Sequence, residues 1–215
     1  IAEFANRHLD KLTPFRPSEN PILYKLVNLL QQLKEQQKET QNRLHTAKDI
    51  YIKSTHEAII ELLEEKIDQT SKRIEGMIKQ KESLNIEYQN LQTIPAIGKE
   101  TAVILLRHLT DKNFETANKF VAFAGLSPKI EQSGTSVNKK GRLSRYGHRQ
   151  LKRALFMPAL VAYRMNAFPQ LVSNLEAAKK PKMIIIVALM RKLAKIAFYI
   201  HKTKKPFDKA RHQTV

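Results

Sequence analysis

Ser133-Gly134 stands at the threshold of a run of cations and is the pair in this chain best placed to do chemistry. A serine hydroxyl becomes a useful nucleophile only when a base, a metal or a cation activates it. Lys139, Lys140, Arg142, Arg145, His148 and Arg149 follow closely, with Lys152 and Arg153 behind them. Such groups would orient a phosphodiester and stabilise charge developing on it. Spacing alone leaves two outcomes open: Ser-Gly pairs in loops commonly form turns, and a hydroxyl among cations also describes a phosphate-binding loop. Ser127 and Ser136 compete for the role, while Ser144 is better placed to cap the next helix. His148 could carry a proton or contact phosphate. Glu100, Asp111, Glu115 and Glu131 precede the basic run without the spacing of a metal site, so no metal ligands are assigned.

The charge is divided as well as large. Of the formal +18, residues 137–215 hold 19 Lys/Arg against only Glu176 and Asp208, while residues 1–136 are nearly balanced. Cations gathered in one half favour a polyanion, because neutralising phosphates releases condensed counterions. Cysteine is absent, which excludes disulfides and thiolate metal sites and suits a reducing, cytoplasmic setting. The longest apolar run, Met183 to Met190, is too short for a bilayer and reads as a buried helix.

The elements that must position these groups are helical. Asn20 before Pro21 is a helix start, and Leu26, Leu30, Leu33, Gln37, Thr40, Leu44, Ala47 and Tyr51 follow in steps of four and three. Ser54 with Glu57 suggests a capping box and a second start. Ile60, Leu63, Ile67, Thr70, Ile74, Met77, Lys81, Leu84, Tyr88 and Leu91 then keep the spacing. Two sustained heptad stripes predict a coiled coil over about 20–91, folded back as an antiparallel hairpin at Lys53-Ser54-Thr55 or drawn out as a rod. Heptads do not distinguish pairing within one chain from pairing between two.

Beyond Leu91 the pattern predicts a basic helical domain over about 92–205. Helices fall at 102–109, 117–124, 144–165 (kinked at Pro158), 168–178 and 181–202, with at most a small β-hairpin at 129–143. The basic tail from Thr203 is expected to fray, leaving 206–215 flexible. The fold class is mainly α. The segment Ile94-Pro-Ala-Ile-Gly98-Lys99-Glu-Thr-Ala102 resembles a helix-hairpin-helix loop, in which Gly98 and Lys99 would present backbone N–H groups to phosphate. Such loops usually carry glycine where Ala96 stands.

Four blocks in order carry a wider resemblance: the Ile94 segment, Phe120-x-x-Phe-Ala-Gly-Leu-Ser-Pro128, Gln132-Ser-Gly134, and Gly141-Arg-Leu-Ser-Arg-Tyr-Gly-His-Arg-Gln-Leu-Lys-Arg-Ala-Leu155. They resemble the C-terminal domain of DEDD insertion-sequence transposases, recombinases related to the Piv DNA invertase and guided by a bridge RNA. The resemblance implies that Ser133 attacks DNA and forms a phosphoserine linkage. It implies a composite site with a RuvC-like domain whose acidic residues hold Mg²⁺. Residues 1–19 resemble the end of that domain, so this chain alone is expected to be inactive and to need no cofactor of its own. The implied partners are DNA, a guide RNA and further copies joined through the coiled coil, with no membrane. The contrasting expectation is a non-catalytic helix-hairpin-helix module that binds nucleic acid and oligomerises.

Overall fold

A computed structural model describes residues 20–133, 137–143 and 146–212, through the backbone alone for 129–133, 137–142 and 211–212. Two long helices, α1 (Pro21–Thr46) and α2 (Ile50–Gln80), run antiparallel and pack along their length. On the expected stripes Leu30 and Thr40 are buried on α1, and Thr70 and Ile74 on α2. Leu23, Val27 and Ile78, outside those stripes, are buried as well. Lys81 reaches Asn20 at the base, and Gln37 donates to Glu64 at 3.0 Å further out, which sets the register. Towards the turn the seam thins, leaving Ile50 85 % and Tyr51 79 % exposed.

The reversal differs from the expectation at Lys53-Ser54-Thr55. Chain direction changes at Ala47–Asp49, and Asp49 caps α2 by accepting from the N–H groups of Tyr51 and Ile52. Ser54 and Thr55 lie inside the helix, their hydroxyls donating to the Tyr51 carbonyl at 2.9 and 2.8 Å. A carboxylate aligned with two first-turn N–H groups outcompetes hydroxyls that can be satisfied within the helix.

The second stripe also breaks. Lys81 is extended (φ −111°, ψ 104°) and separates α2 from α3 (Glu82–Gln92). Leu84, Tyr88 and Leu91 thereby leave the hairpin and pack into the helical bundle. There α4 (Lys99–Asp111), α5 (Ala117–Phe123), α6 (Arg149–Arg164) and α7 (Pro169–Ala177) surround α8 (Lys182–Thr203), followed by the short α9 (Lys209–His212). As its apolar run predicts, α8 is buried over much of its circumference, from Ile185 and Leu189 to Ile196 and Ile200. Each such side chain contributes roughly 1.5–3 kcal/mol on burial. A single cluster of buried residues runs from Leu23 to Ile200, so the hairpin base and the bundle share one core.

The only sheet among the described residues is an antiparallel ribbon, β1 (Pro128–Ser133) and β2 (Val137–Leu143), matching the small hairpin expected. The tail from Thr203, expected to fray, makes contacts at Phe207. Its N–H donates to Thr93 Oγ1 at 2.7 Å, and its ring packs on Phe168. Buried Glu87 on α3 gathers His201 and Lys204, tying the end of α8 to the bundle. No described helix is long and apolar enough to cross a membrane.

Candidate nucleic-acid interface

Ser133 closes strand β1, paired with Val137 across the ribbon. Gly134 lies outside the described residues, as do Thr135, Ser136, Ser144 and Arg145. On β2, Lys139 lies opposite Glu131 and Arg142 opposite Lys129, with Lys140 between them. The register slips between Lys129 and Glu131, a bulge that adds local twist to the ribbon.

The base of the ribbon is locked by two glycines. Gly125 (φ 70°) and Gly147 (φ 117°) sit in backbone conformations that side chains resist, and neither has room for a Cβ. A Cβ on Gly147 would collide with Gly125, and one on Gly125 would meet the Tyr146 carbonyl and the Lys152 ammonium. The His148 N–H closes the junction by donating to the Phe123 carbonyl at 2.7 Å. Both strands therefore leave from one fixed point, with Lys152 folded over it.

α6 begins at Arg149 rather than near Ser144, and its cap is His148, whose Nδ1 accepts from Leu151 N–H at 3.4 Å. The ring is held for this by stacking: His108 lies 4.2 Å away edge-on and Phe123 5.4 Å away, centroid to centroid. An imidazole pinned between two rings can serve where a serine was expected. Pro158 lies inside α6, and the helix continues through it. Proline cannot donate to the carbonyl four residues back; here that carbonyl, of Ala154, accepts instead from the Thr101 hydroxyl of α4.

His148, Arg149 and Arg153 line a cleft of about 710 Å³ between α1, α4 and α6. Arg149 and Arg153, one turn apart, share a helix face. Arg153 reaches across to Glu35 on α1. On the opposite wall Glu100 takes Lys34 at 2.5 Å and Gln31 at 3.1 Å. Lys99 turns the other way and pairs with Glu75 at 3.3 Å. Gly98 caps α4 in extended conformation without a side-chain cap, and Ala96 adopts φ 67° where helix-hairpin-helix loops usually carry glycine. The basic residues thus divide among three places: the ribbon, the cleft and the turn before α4.

Sequence reasoning overlooked Arg107 and His108, both buried inside the apolar run of α4. Their signal was present, since an arginine and a histidine amid eight consecutive helical positions that include Leu105 and Leu106 need partners. Arg107 stacks on Tyr24 at 3.6 Å and donates to Asn28 and Gln150, joining α1, α4 and α6. Burial pulls its guanidinium below the ordinary value, partly offset by Tyr24 and Asp111. Burial, then the neighbouring His148, Arg107 and Lys112, pushes His108 down from 6.5 to about 3. His148 is lowered by burial, Arg107 and Lys112 in turn. Both rings therefore stay neutral at neutral pH. Among the described residues no three of His, Asp or Glu come together as metal ligands.

Comparison with known proteins covers the same elements. A model of the transposase IS116/IS110/IS902 family matches residues 88–173, from α3 through the turn, the ribbon and α6 into α7. The pilin gene-inverting protein of Moraxella lacunata is 34 % identical over 215 residues, spanning 94 % of this chain and 67 % of that protein. Its counterpart in Moraxella bovis shows the same identity and coverage. An uncharacterized 43.6 kDa protein of insertion element IS110 from Streptomyces coelicolor is 41 % identical over 80 residues, 37 % of this chain and 19 % of that protein.

Proposed function

The chain belongs to the IS116/IS110/IS902 transposase family, and on that premise we propose that it recombines DNA with Ser133 as the nucleophile. The observation that supports this role most is placement. Ser133 ends a strand whose partner carries Lys139, Lys140 and Arg142, on a ribbon fixed at its base by Gly125 and Gly147. In the proposed step the Ser133 hydroxyl attacks a backbone phosphorus. A serine–phosphate bond forms, the bond to one neighbouring nucleotide breaks, and the departing oxygen leaves as a hydroxyl bearing the proton. A hydroxyl from another strand reverses the step and completes exchange.

The site would be composite, shared with an acidic RuvC-like domain that supplies the metal ligands. DNA and a guide RNA are the proposed nucleic-acid partners, held by Lys152 at the ribbon base, by Arg149 at the cleft and by Lys99 at the turn. Copies of the chain would join through the hairpin, whose outer part leaves Ile52, Ile59 and Leu62 of α2 at least two-fifths exposed.

The test is Ser133→Ala in a protein that carries this chain together with the RuvC-like domain. Covalent protein–DNA product should disappear while DNA binding stays within about twofold. Recombination retained in that variant would overturn the nucleophile. A helix-hairpin-helix module without chemistry predicts no covalent product from either protein.

A further inference from the structure

The strand chemistry proposed above gives no task to the cleft between α1, α4 and α6. We propose that this cleft receives one unpaired nucleobase of the nucleic acid bound at the ribbon, an inference that rests on the transposase reading. At about 710 Å³ it lies within the range of sites that enclose a small organic group.

The lining selects a base over a phosphate. Glu35 on α1 and Glu100 on α4 both border the cleft and already hold Arg153 and Lys34, so a phosphodiester drawn through it would have to displace an ion pair. The same carboxylates accept hydrogen bonds from exocyclic amino groups, a pairing seen with cytosine edges. Amide side chains supply the remaining polar surface, and an amide both donates and accepts, as base edges do. Asn28 uses its oxygen for Arg107 and keeps its NH₂; Gln31 uses its NH₂ for Glu100 and keeps its oxygen. Gln32 adds a third amide on the same helix.

A base also needs an apolar surface for its faces. Buried Ile104 and Pro158 provide one side, and Met157 provides another with 59 % of its surface exposed. Arg149 stands at the first turn of α6, where the helix N-terminus adds partial positive charge and where the flanking phosphate would remain outside. The arrangement therefore places the base inside and the backbone at the basic rim.

Two fluorescent DNA duplexes of one sequence, fully paired or with a single bulged base, test the assignment by anisotropy. The bulged duplex should bind roughly five- to hundredfold tighter, the range that base stacking supplies. Met157→Glu, at an exposed position, should bring that ratio to within about twofold of unity, a readout from which its general effect on both duplexes cancels. Gln32→Leu should lower it severalfold, and it serves as the second variant if Met157→Glu loses its wild-type melting temperature. Equal affinity of the unaltered protein for both duplexes overturns the cleft assignment and leaves the transposase reading standing, provided binding remains salt-dependent. A preference kept by both variants overturns it too, because the base would then sit elsewhere. Failure to bind either duplex overturns both.

Discussion

The Thr101 hydroxyl of α4 donates, at 3.4 Å, to the Ala154 carbonyl of α6, the acceptor that Pro158 cannot serve. A proline inside a helix leaves the carbonyl four residues earlier without its usual donor. Here the gap in one helix becomes the contact point for another. Thr101 and Ala154 both line the cleft, so this bond joins two of its walls.

Replacing that donor should cost stability that depends on the proline. Thr101→Val should destabilise by about 1 kcal/mol, the lower range for an orphaned buried acceptor because the bond is long. Pro158→Ala returns a backbone N–H to Ala154, so the same Thr101→Val change in that background should cost almost nothing. Urea denaturation of the four proteins measures the coupling directly. Additive losses would show that Thr101 acts through packing alone.

Acid sensitivity should trace to α4. Unfolded His108 takes a proton near 6.5, whereas the folded ring, buried beside His148, Arg107 and Lys112, resists until about 3. Between those values the unfolded chain binds more protons, so stability falls as pH falls from 6.5 towards 3 and levels below that. The slope contributed is at most about 1.4 kcal/mol per pH unit. His148, lowered in the same direction, adds to the loss, and its protonation also removes the Nδ1 acceptor that caps α6. His108→Leu should flatten this limb relative to the unaltered protein in melting experiments at stepped pH. An unchanged pH profile would place the acid response elsewhere.

Much of this was legible in residue order. The stripes placed two long helices, the apolar run from Met183 placed the buried α8, and the small hairpin expected over 129–143 is the ribbon. Helix ends were less readable, because capping is a competition that side-chain type alone does not decide. Asp49 displaced Ser54, and His148 displaced Ser144, once neighbours held each in position. Ala96 at φ 67° shows the same limit, since the turn keeps the left-handed geometry without the glycine that usually advertises it. The cleft was illegible because Glu35, Glu100 and Arg153 converge from three helices far apart in sequence.

The two glycines of the ribbon base should be intolerant of even one methyl group. Gly147→Ala combines a positive φ with a collision against the Gly125 backbone. The cost should be about 2–4 kcal/mol, from left-handed strain of about 1–2 and overpacking of about 1–3. Gly76 in the middle of α2 is the internal control, because a methyl there meets nothing within 4 Å. Gly76→Ala should stabilise by about 0.5–1 kcal/mol through helix propensity. Thermal melts of the two variants should move in opposite directions; a common direction would contradict the locked junction.

Arg153 and Glu35 pose a sharper question, because the pair restrains a residue that the proposed function needs. Both side chains are 55 % exposed, so their attraction contributes little to folding, on the order of 0–1 kcal/mol. Its consequence lies in binding: a phosphate must compete with the Glu35 carboxylate for the Arg153 guanidinium. Glu35→Gln should therefore raise affinity for duplex DNA severalfold at low salt, with a melting temperature close to that of the unaltered protein. Arg153→Ala should weaken binding and reduce the slope of log affinity against log salt by about one, as expected for a lost phosphate contact. In the double variant the gain from Glu35→Gln should shrink towards nothing, because the cation it releases is gone. A gain that survives Arg153→Ala would mean that Glu35 acts only by general repulsion, and the pair would not gate the interface.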